Sequence, residues 1–395
     1  MSFNIALSGI NAINTELNTI SNNIANSSTY GFKSSRANFA SMYAGTEPTG
    51  VEVSSLTQSI GNGGGVLTTG RGMDASIQGR GFFVTRDTSG AEVYSRVGIF
   101  ATDKDGFIVD SFNRKVQGYA AVPGATTLGA MGDLQVPTGQ ILAKASTTIA
   151  YVGNLSAEWT APTVTPFDRT NSQSYNGSMV SVVYDSLGAQ HSVTQFFVKT
   201  GVSQVTAHYT FDGADQATTT ALNFDTNGRL VTPAGTVPLA FGAPAGAAPL
   251  TVDMNYAGTT QSAGEATTST NAADGYASGT FLGVQLSGDG SVLAQYSNGQ
   301  KQSIGTIALA TFPAENSLVP LSDTSWTTSA ESGSPLYFAP GSGMAGSLTA
   351  GALEQSNVDM TAELVNLMSA QRNYQANTKV ISAENEMMQT LMQAV

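Results

Sequence analysis

Few residues of this chain have the type and spacing to do chemistry. His191 and His208 are its only imidazoles, and its 395 residues include no cysteine. That excludes disulfides, thiolate zinc sites, iron–sulfur clusters and a Cys nucleophile. His191 follows the turn Asp185-Ser186-Leu187-Gly188 and has no partner ligand at metal-binding spacing, so it reads as a strand residue at the surface. Gly341-Ser342-Gly343-Met344-Ala345-Gly346 fits G-x-G-x-x-G, but a dinucleotide site needs a strand before it and a helix after it. Pro340 precedes this run and Ser347-Leu348-Thr349 continues it without helical period, so a glycine-rich loop is expected. The turn Asp103-Lys104-Asp105-Gly106 carries two carboxylates, but the first and last ligand positions of a calcium loop fall on Ala101 and Phe112. It reads as a hairpin turn. No serine stands in a G-x-S-x-G elbow. No catalytic residue, cofactor or metal is expected.

Composition narrows the partners. Hydrophobic residues make up 41% and charged residues only 11%, well below the usual quarter or so. Lys plus Arg is 16 and Asp plus Glu is 28, a net charge of 16 − 28 = −12. Such a chain repels phosphate, which argues against nucleic acid. Between Arg229 and Arg372 the only basic residue is Lys301. No run of about 18 apolar residues offers a membrane span. Met1-Ser2-Phe3-Asn4 lacks the basic start and long apolar run of a cleaved signal peptide, which by that logic reads as cytoplasmic and leaves open a route that exports the chain uncut. A cysteine-free chain suits oxidising surroundings.

The elements stand out at the two ends. Phe3, Ala6, Ile10, Ile13, Leu17, Ile20 and Ile24 recur at alternating intervals of three and four. That is the a/d seam of one amphipathic helix. Its other faces carry Asn11, Asn14, Asn18, Asn22 and Asn23, with Glu16 as the only charge. Solution coiled coils normally place Glu and Lys beside the seam. Their absence suggests a helix packed among many neighbours. At the other end, Ser356-Asn357-Val358-Asp359 reads as a capping box, with Ser356 at the N-cap. A second seam follows through Leu364, Leu367, Tyr374, Ile381, Met388 and Val395. Gln371, Thr378 and Asn385 interrupt it, so its pairing with the first helix is expected to be weak.

Between the ends the pattern is β-like: short alternating runs broken by glycine turns. The expected fold is mainly β with α-helical termini. Two β-rich domains are nested, the inner one discontinuous, beside a terminal coiled-coil-like helix pair. The expected boundaries are 1–24 with 357–395 for the helices and 25–70 for an extended linker. A discontinuous β domain follows at 71–147 with 284–356, and an inserted outer β domain at 148–283.

Several stretches resemble the bacterial flagellar rod/hook family. At the N-terminus they are Leu7-Ser8-Gly9-Ile10, Ser21-Asn22-Asn23-Ile24-Ala25-Asn26 and Tyr30-Gly31-Phe32-Lys33. At the C-terminus they are Gly351-Ala352-Leu353-Glu354-Gln355-Ser356-Asn357-Val358-Asp359 and Ala370-Gln371-Arg372-Asn373-Tyr374. Internally, Gly70–Asp74, Gly79–Phe83, Tyr94–Phe100 and Val183–Gly188 also match. Val183–Gly188 points to the hook branch of the family. The resemblance implies a structural subunit that polymerises with many copies of itself into a curved hollow tube joining rod to filament and carrying torque. Helices would line the tube and the middle domains face outward. Implied partners are the rod, the hook cap, the hook–filament junction proteins and the flagellar type III export apparatus. The implied location is extracellular. Two alternatives stay open: a rod or hook-associated subunit, and a secreted β-rich adhesin or enzyme.

Overall fold

A computed structural model describes residues 2–122 and 127–394. The chain is mainly β with a helix at each end, and it divides into two compact units. One comprises Met1–Thr138, Gly283–Gln295 and Lys301–Val395; the other comprises Gly139–Leu282 and Tyr296–Gln300.

The first unit begins with helix α1 (Ser2–Ala25) and ends with helix α2 (Met360–Ala394). Much of the expected linker is instead an antiparallel hairpin of β1 (Ser35–Ala44) and β2 (Glu47–Gln58). Its two-residue turn, Gly45-Thr46, puts Gly45 at φ +66°, the left-handed conformation that tight hairpins favour. Two register slips, at Asn38/Phe39 and Met42/Tyr43, interrupt the ladder. They break the strict alternation by which a strand is read from sequence. The terminal helices therefore do not stand apart as a domain. They belong to one unit with this hairpin and the discontinuous β domain.

Strand pairing explains how the two chain ends meet. Val66–Thr68 pairs antiparallel with Ala352–Glu354, and Ala75–Gln78 pairs with Ser347–Ala350. The segment leaving α1 thus runs beside the segment entering α2. The core behind them packs Phe82, Tyr94, Phe312 and Trp326, with edge-on ring centroids 4.8–5.9 Å apart.

Asp359 caps α2, not Ser356. Its Oδ1 accepts from the amides of Thr361 (2.9 Å) and Ala362 (3.2 Å). These are the donors that a first helical turn leaves unpaired. The Ser356 hydroxyl accepts from the Val358 amide, in the turn before the helix.

The second unit holds two five-stranded sheets. One is an antiparallel meander from Gly177–Tyr184 to Leu230–Thr232. The other is built around Thr148–Ser156 and mixes parallel and antiparallel pairs. Ile149, Phe197, Leu222, Val252 and Tyr256 are among the residues buried together inside. The unit begins at 139, not 148, because Ile141 pairs with Gly279 and Lys144 with Tyr276, closing its base. As expected, Asp103 forms a turn, accepting from the Asp105 and Phe107 amides.

Candidate functional site

Helices α1 and α2 run antiparallel: Asn23 meets Glu363 near one end, and Gly9 lies against Asn377 near the other. Ile13, Ile20 and Ala370 are buried between them, with Leu17, Ile24, Leu367 and Tyr374 packed alongside. Ile10 and Ile381 are half-buried. Phe3, Leu364 and Met388 are exposed in the single chain. Val395 lies outside the described residues. The covered stripe of α2 runs through Leu367, Ala370 and Tyr374, so Leu364 falls beside it. The small side chain of Ala370 marks the contact more faithfully than the bulky Leu364. A Cβ at Gly9 would stand 3.2 Å from the Asn377 side chain, so the helices approach closely there.

A second face of α1 packs on the hairpin. The Ser8 hydroxyl donates to the Ile5 carbonyl (2.8 Å) and accepts from the Val51 amide (3.1 Å). Gly50 sits beside it at φ +131°, and a Cβ there would lie 2.1 Å from Ser8 Oγ. Gly50→Ala is therefore expected to lift β2 off α1 and destabilise the docked hairpin by roughly 1–3 kcal/mol. Faster exchange of the Val51 amide in the variant is the readout; unchanged exchange would mean that the hairpin docks without Gly50. Ile5, Ala12, Ile13, Phe39, Pro48 and Val51 help line a mostly apolar cleft of about 560 Å³ between α1, the hairpin and α2.

Where both helices join the β domain, two asparagines are paired, Asn23 buried and Asn357 half-buried. Asn23, read from the sequence as a polar flank, is 1% exposed. Its Nδ2 donates to the Ser35 carbonyl (2.8 Å) and to Glu363 Oε1 (2.9 Å), while its Oδ1 accepts from the Ser35 amide (2.9 Å). One side chain thus ties α1 to the foot of the hairpin and to α2. Asn357 works from the other chain end: its Oδ1 accepts from the Ser34 amide (2.7 Å), and its Nδ2 donates to the Ser59 and Asn62 carbonyls (3.0 Å each).

Behind these lies an ion cluster. Lys33 Nζ is 2.6 Å from Glu354 Oε1, and Arg96 Nη1 is 3.3 Å from Glu354 Oε2. The three side chains are 0%, 2% and 2% exposed for Lys33, Glu354 and Arg96. Lys33 also donates to the Asn62 carbonyl (2.7 Å), Arg96 Nη2 to the Gly79 carbonyl (2.9 Å), and the Gly64 amide to Glu354 Oε1 (3.0 Å). Burial pushes the Lys33 ammonium below its ordinary pKa, and the Glu354 carboxylate opposes that shift. The arrangement offers no open coordination position and no nucleophile. Chemically it can clamp three segments together.

Comparison with known proteins places these features in a family. The model for flagella basal body rod proteins matches residues 3–33, and the flagellar hook protein FlgE/F/G D1 domain matches 76–157. The flagellar basal body protein FlaE D2 domain matches 154–276, and the FlgEFG C-terminal model matches 349–394. The flagellar hook protein FlgE of Escherichia coli K12 is 39% identical over 401 residues, covering 99% of each chain. The chain belongs to the FlgE flagellar hook protein family. FlgE of Salmonella typhimurium LT2 is also 39% identical, over 99% of each chain. FlgE of Brucella suis is 33% identical, over 98% of this chain and 96% of the relative. The solved structure of Helicobacter pylori hook protein FlgE2 shares the fold, with a TM-score of 0.52 and 12% identity over 73% of this chain and 100% of that one.

Membership of the FlgE family makes this a structural subunit of the flagellar hook and not an enzyme. Among the described residues, no group of three or more His, Cys, Asp or Glu is arranged to hold a metal, and no helix is long and apolar enough to cross a membrane. Sequence reasoning missed Asn23, Ala370 and the meeting of Lys33, Arg96 and Glu354. The last three each lie in a quoted motif, but chain separations of 258 residues or more hide their contact.

Proposed function

We propose that the chain polymerises into the curved hollow tube that joins rod to filament and transmits torque as a universal joint. Apolar side chains left uncovered on both terminal helices carry this reading: Phe3, Leu7, Val365, Met368, Met387, Met388, Leu391 and Met392 are all exposed in the single chain. An apolar surface of this kind marks a docking face. A patch that binds a different patch on the next copy gives an open helical polymer. The seam positions read from the sequence, Ala6 apart, are proposed as its packing residues. Further proposed partners are the rod, the hook cap, the hook–filament junction proteins and the type III export apparatus. The subunit leaves the cell uncleaved and works outside it.

Electron microscopy of concentrated protein, together with its detection in purified hook–basal bodies, tests this reading. Tubes support it; dispersed monomers absent from hooks sink it. A deletion sharpens the test. Ile141 and Gly279 are already paired, so a short Gly/Ser loop can replace 142–278 without moving either end. The shortened chain is expected to form thinner tubes with altered supercoiling. No tubes from this variant in export-competent cells would mean that the inserted unit is needed for polymerisation.

A further inference from the structure

His191 lies in the strand Gln190–Gly201 of the meander and meets a carboxylate at each ring nitrogen. Nδ1 is 2.6 Å from Asp212 Oδ2, and Nε2 is 3.4 Å from Asp185 Oδ2. The two carboxylates come from different turns. Asp185 opens the turn before His191, where its Oδ1 accepts from the Leu187 and Ala189 amides at 2.9 and 2.8 Å. Asp212, at φ +46°, begins the Asp212-Gly213 hairpin turn, and its Oδ1 accepts from the Ser192 amide at 2.8 Å. The imidazole face stacks on Phe211 at 5.1 Å, and Phe211 stacks on Phe241 at 4.6 Å. Phe241 belongs to Val237–Gly242, a strand of the other sheet. Asp185 and Asp212 are the charges that face the ring. Arg169, beside the same hairpin turn, pairs with Asp215 at 3.7 Å.

A neutral imidazole donates from one nitrogen and presents a lone pair at the other. Between two carboxylates it can satisfy one and must repel the second. The imidazolium donates to both. We propose that His191 is a proton-operated clasp that holds the Asp185 and Asp212 turns together when charged and releases one of them when neutral.

Burial alone would lower the imidazole pKa, but hydrogen bonds from the ring to Asp212 and Asp185 outweigh it and hold the ring above its ordinary value. Burial likewise works against the two carboxylates; backbone amides and His191 keep both below their ordinary range. The clasp is therefore complete below about pH 6.5, the ordinary imidazole value, and is lost as pH rises through the raised one. At its acid edge it weakens below about pH 4, the ordinary carboxylate value, and is lost as pH falls through the lowered values of Asp185 and Asp212. His208 is a built-in control: it stacks on Phe167 at 4.3 Å, and burial lowers its pKa.

The test uses the full chain. Imidazole NMR should show His191 titrating above about 6.5 and His208 below it. Hydrogen exchange at Leu187, Ala189 and Ser192, corrected for intrinsic rates, should lose protection about threefold or more between about pH 6 and pH 8.5. Asp212→Asn should lower the His191 midpoint by about one unit, and His191→Gln should make protection independent of pH across that range. A His191 midpoint at or below about 6.5 overturns the proposal. So does equal pH dependence of protection in the wild type and His191→Gln. Neither result depends on whether the chain polymerises.

Discussion

Glu354→Gln is expected to destabilise the first unit by about 3–5 kcal/mol and to abolish motility. Removing one partner of a buried ion pair leaves the other charges without compensation, which costs far more than the pair contributes over an apolar replacement. Here one carboxylate serves two cations, Lys33 at 2.6 Å and Arg96 at 3.3 Å. Glutamine keeps the shape and one acceptor but leaves two positive side chains buried together. A loss of this size is a large fraction of a domain's total stability of roughly 5–15 kcal/mol. Lys33→Met relieves half of the conflict, so the double variant should be more stable than Glu354→Gln alone. Urea unfolding of the wild type, both single variants and the double variant closes the cycle. A single-variant loss under about 1 kcal/mol, or strict additivity, would show that the cluster does not clamp the chain ends.

The fates of particular residues show what the sequence could and could not disclose. Ile13, Leu17 and Ile20 were legible because one helical period sets which residues share a face. The same rule gave Leu367 and Tyr374. It could not choose between Leu364 and Ala370, because that choice depends on how closely α1 approaches. Gly9 sets the approach, and it lies on the other helix. Asn23 looked like one more polar flank residue, since burial of an amide depends on partners such as Ser35 and Glu363 that spacing does not reveal. The hairpin was hidden by two register slips and by weak alternation in a Ser/Thr-rich stretch. The contact of Lys33 with Glu354 is set by the pairing of Val66–Thr68 with Ala352–Glu354, a tertiary fact without a local signature. Family resemblance marked these motifs as specific, and the structure supplies the physical reason that they occur together.

Ile13→Asp and Ile20→Asp are each expected to abolish tube formation while leaving the 139–282 unit folded. Both side chains are buried between the helices. A carboxylate placed there costs several kcal/mol unless it is paired or neutralised. Among the described residues of α1, Glu16 is the only ionisable side chain, so the helix offers the new charge no cation. Asn14→Asp and Asn18→Asp add the same charge at exposed positions and should change stability by no more than about 0.5 kcal/mol. Met388→Asp separates contacts within a chain from contacts between chains. Met388 is exposed in the single chain, so the monomer should unfold at the wild-type urea concentration. If its face packs on a neighbouring subunit, tubes should still fail to form. Assembly scored by electron microscopy, beside monomer unfolding, gives three distinct outcomes. Ile13→Asp should lose both properties, Asn14→Asp neither, and Met388→Asp assembly alone. Normal tubes from Met388→Asp would remove the far end of α2 from the packing face. Equal damage at Ile13 and Asn14 would remove the seam itself.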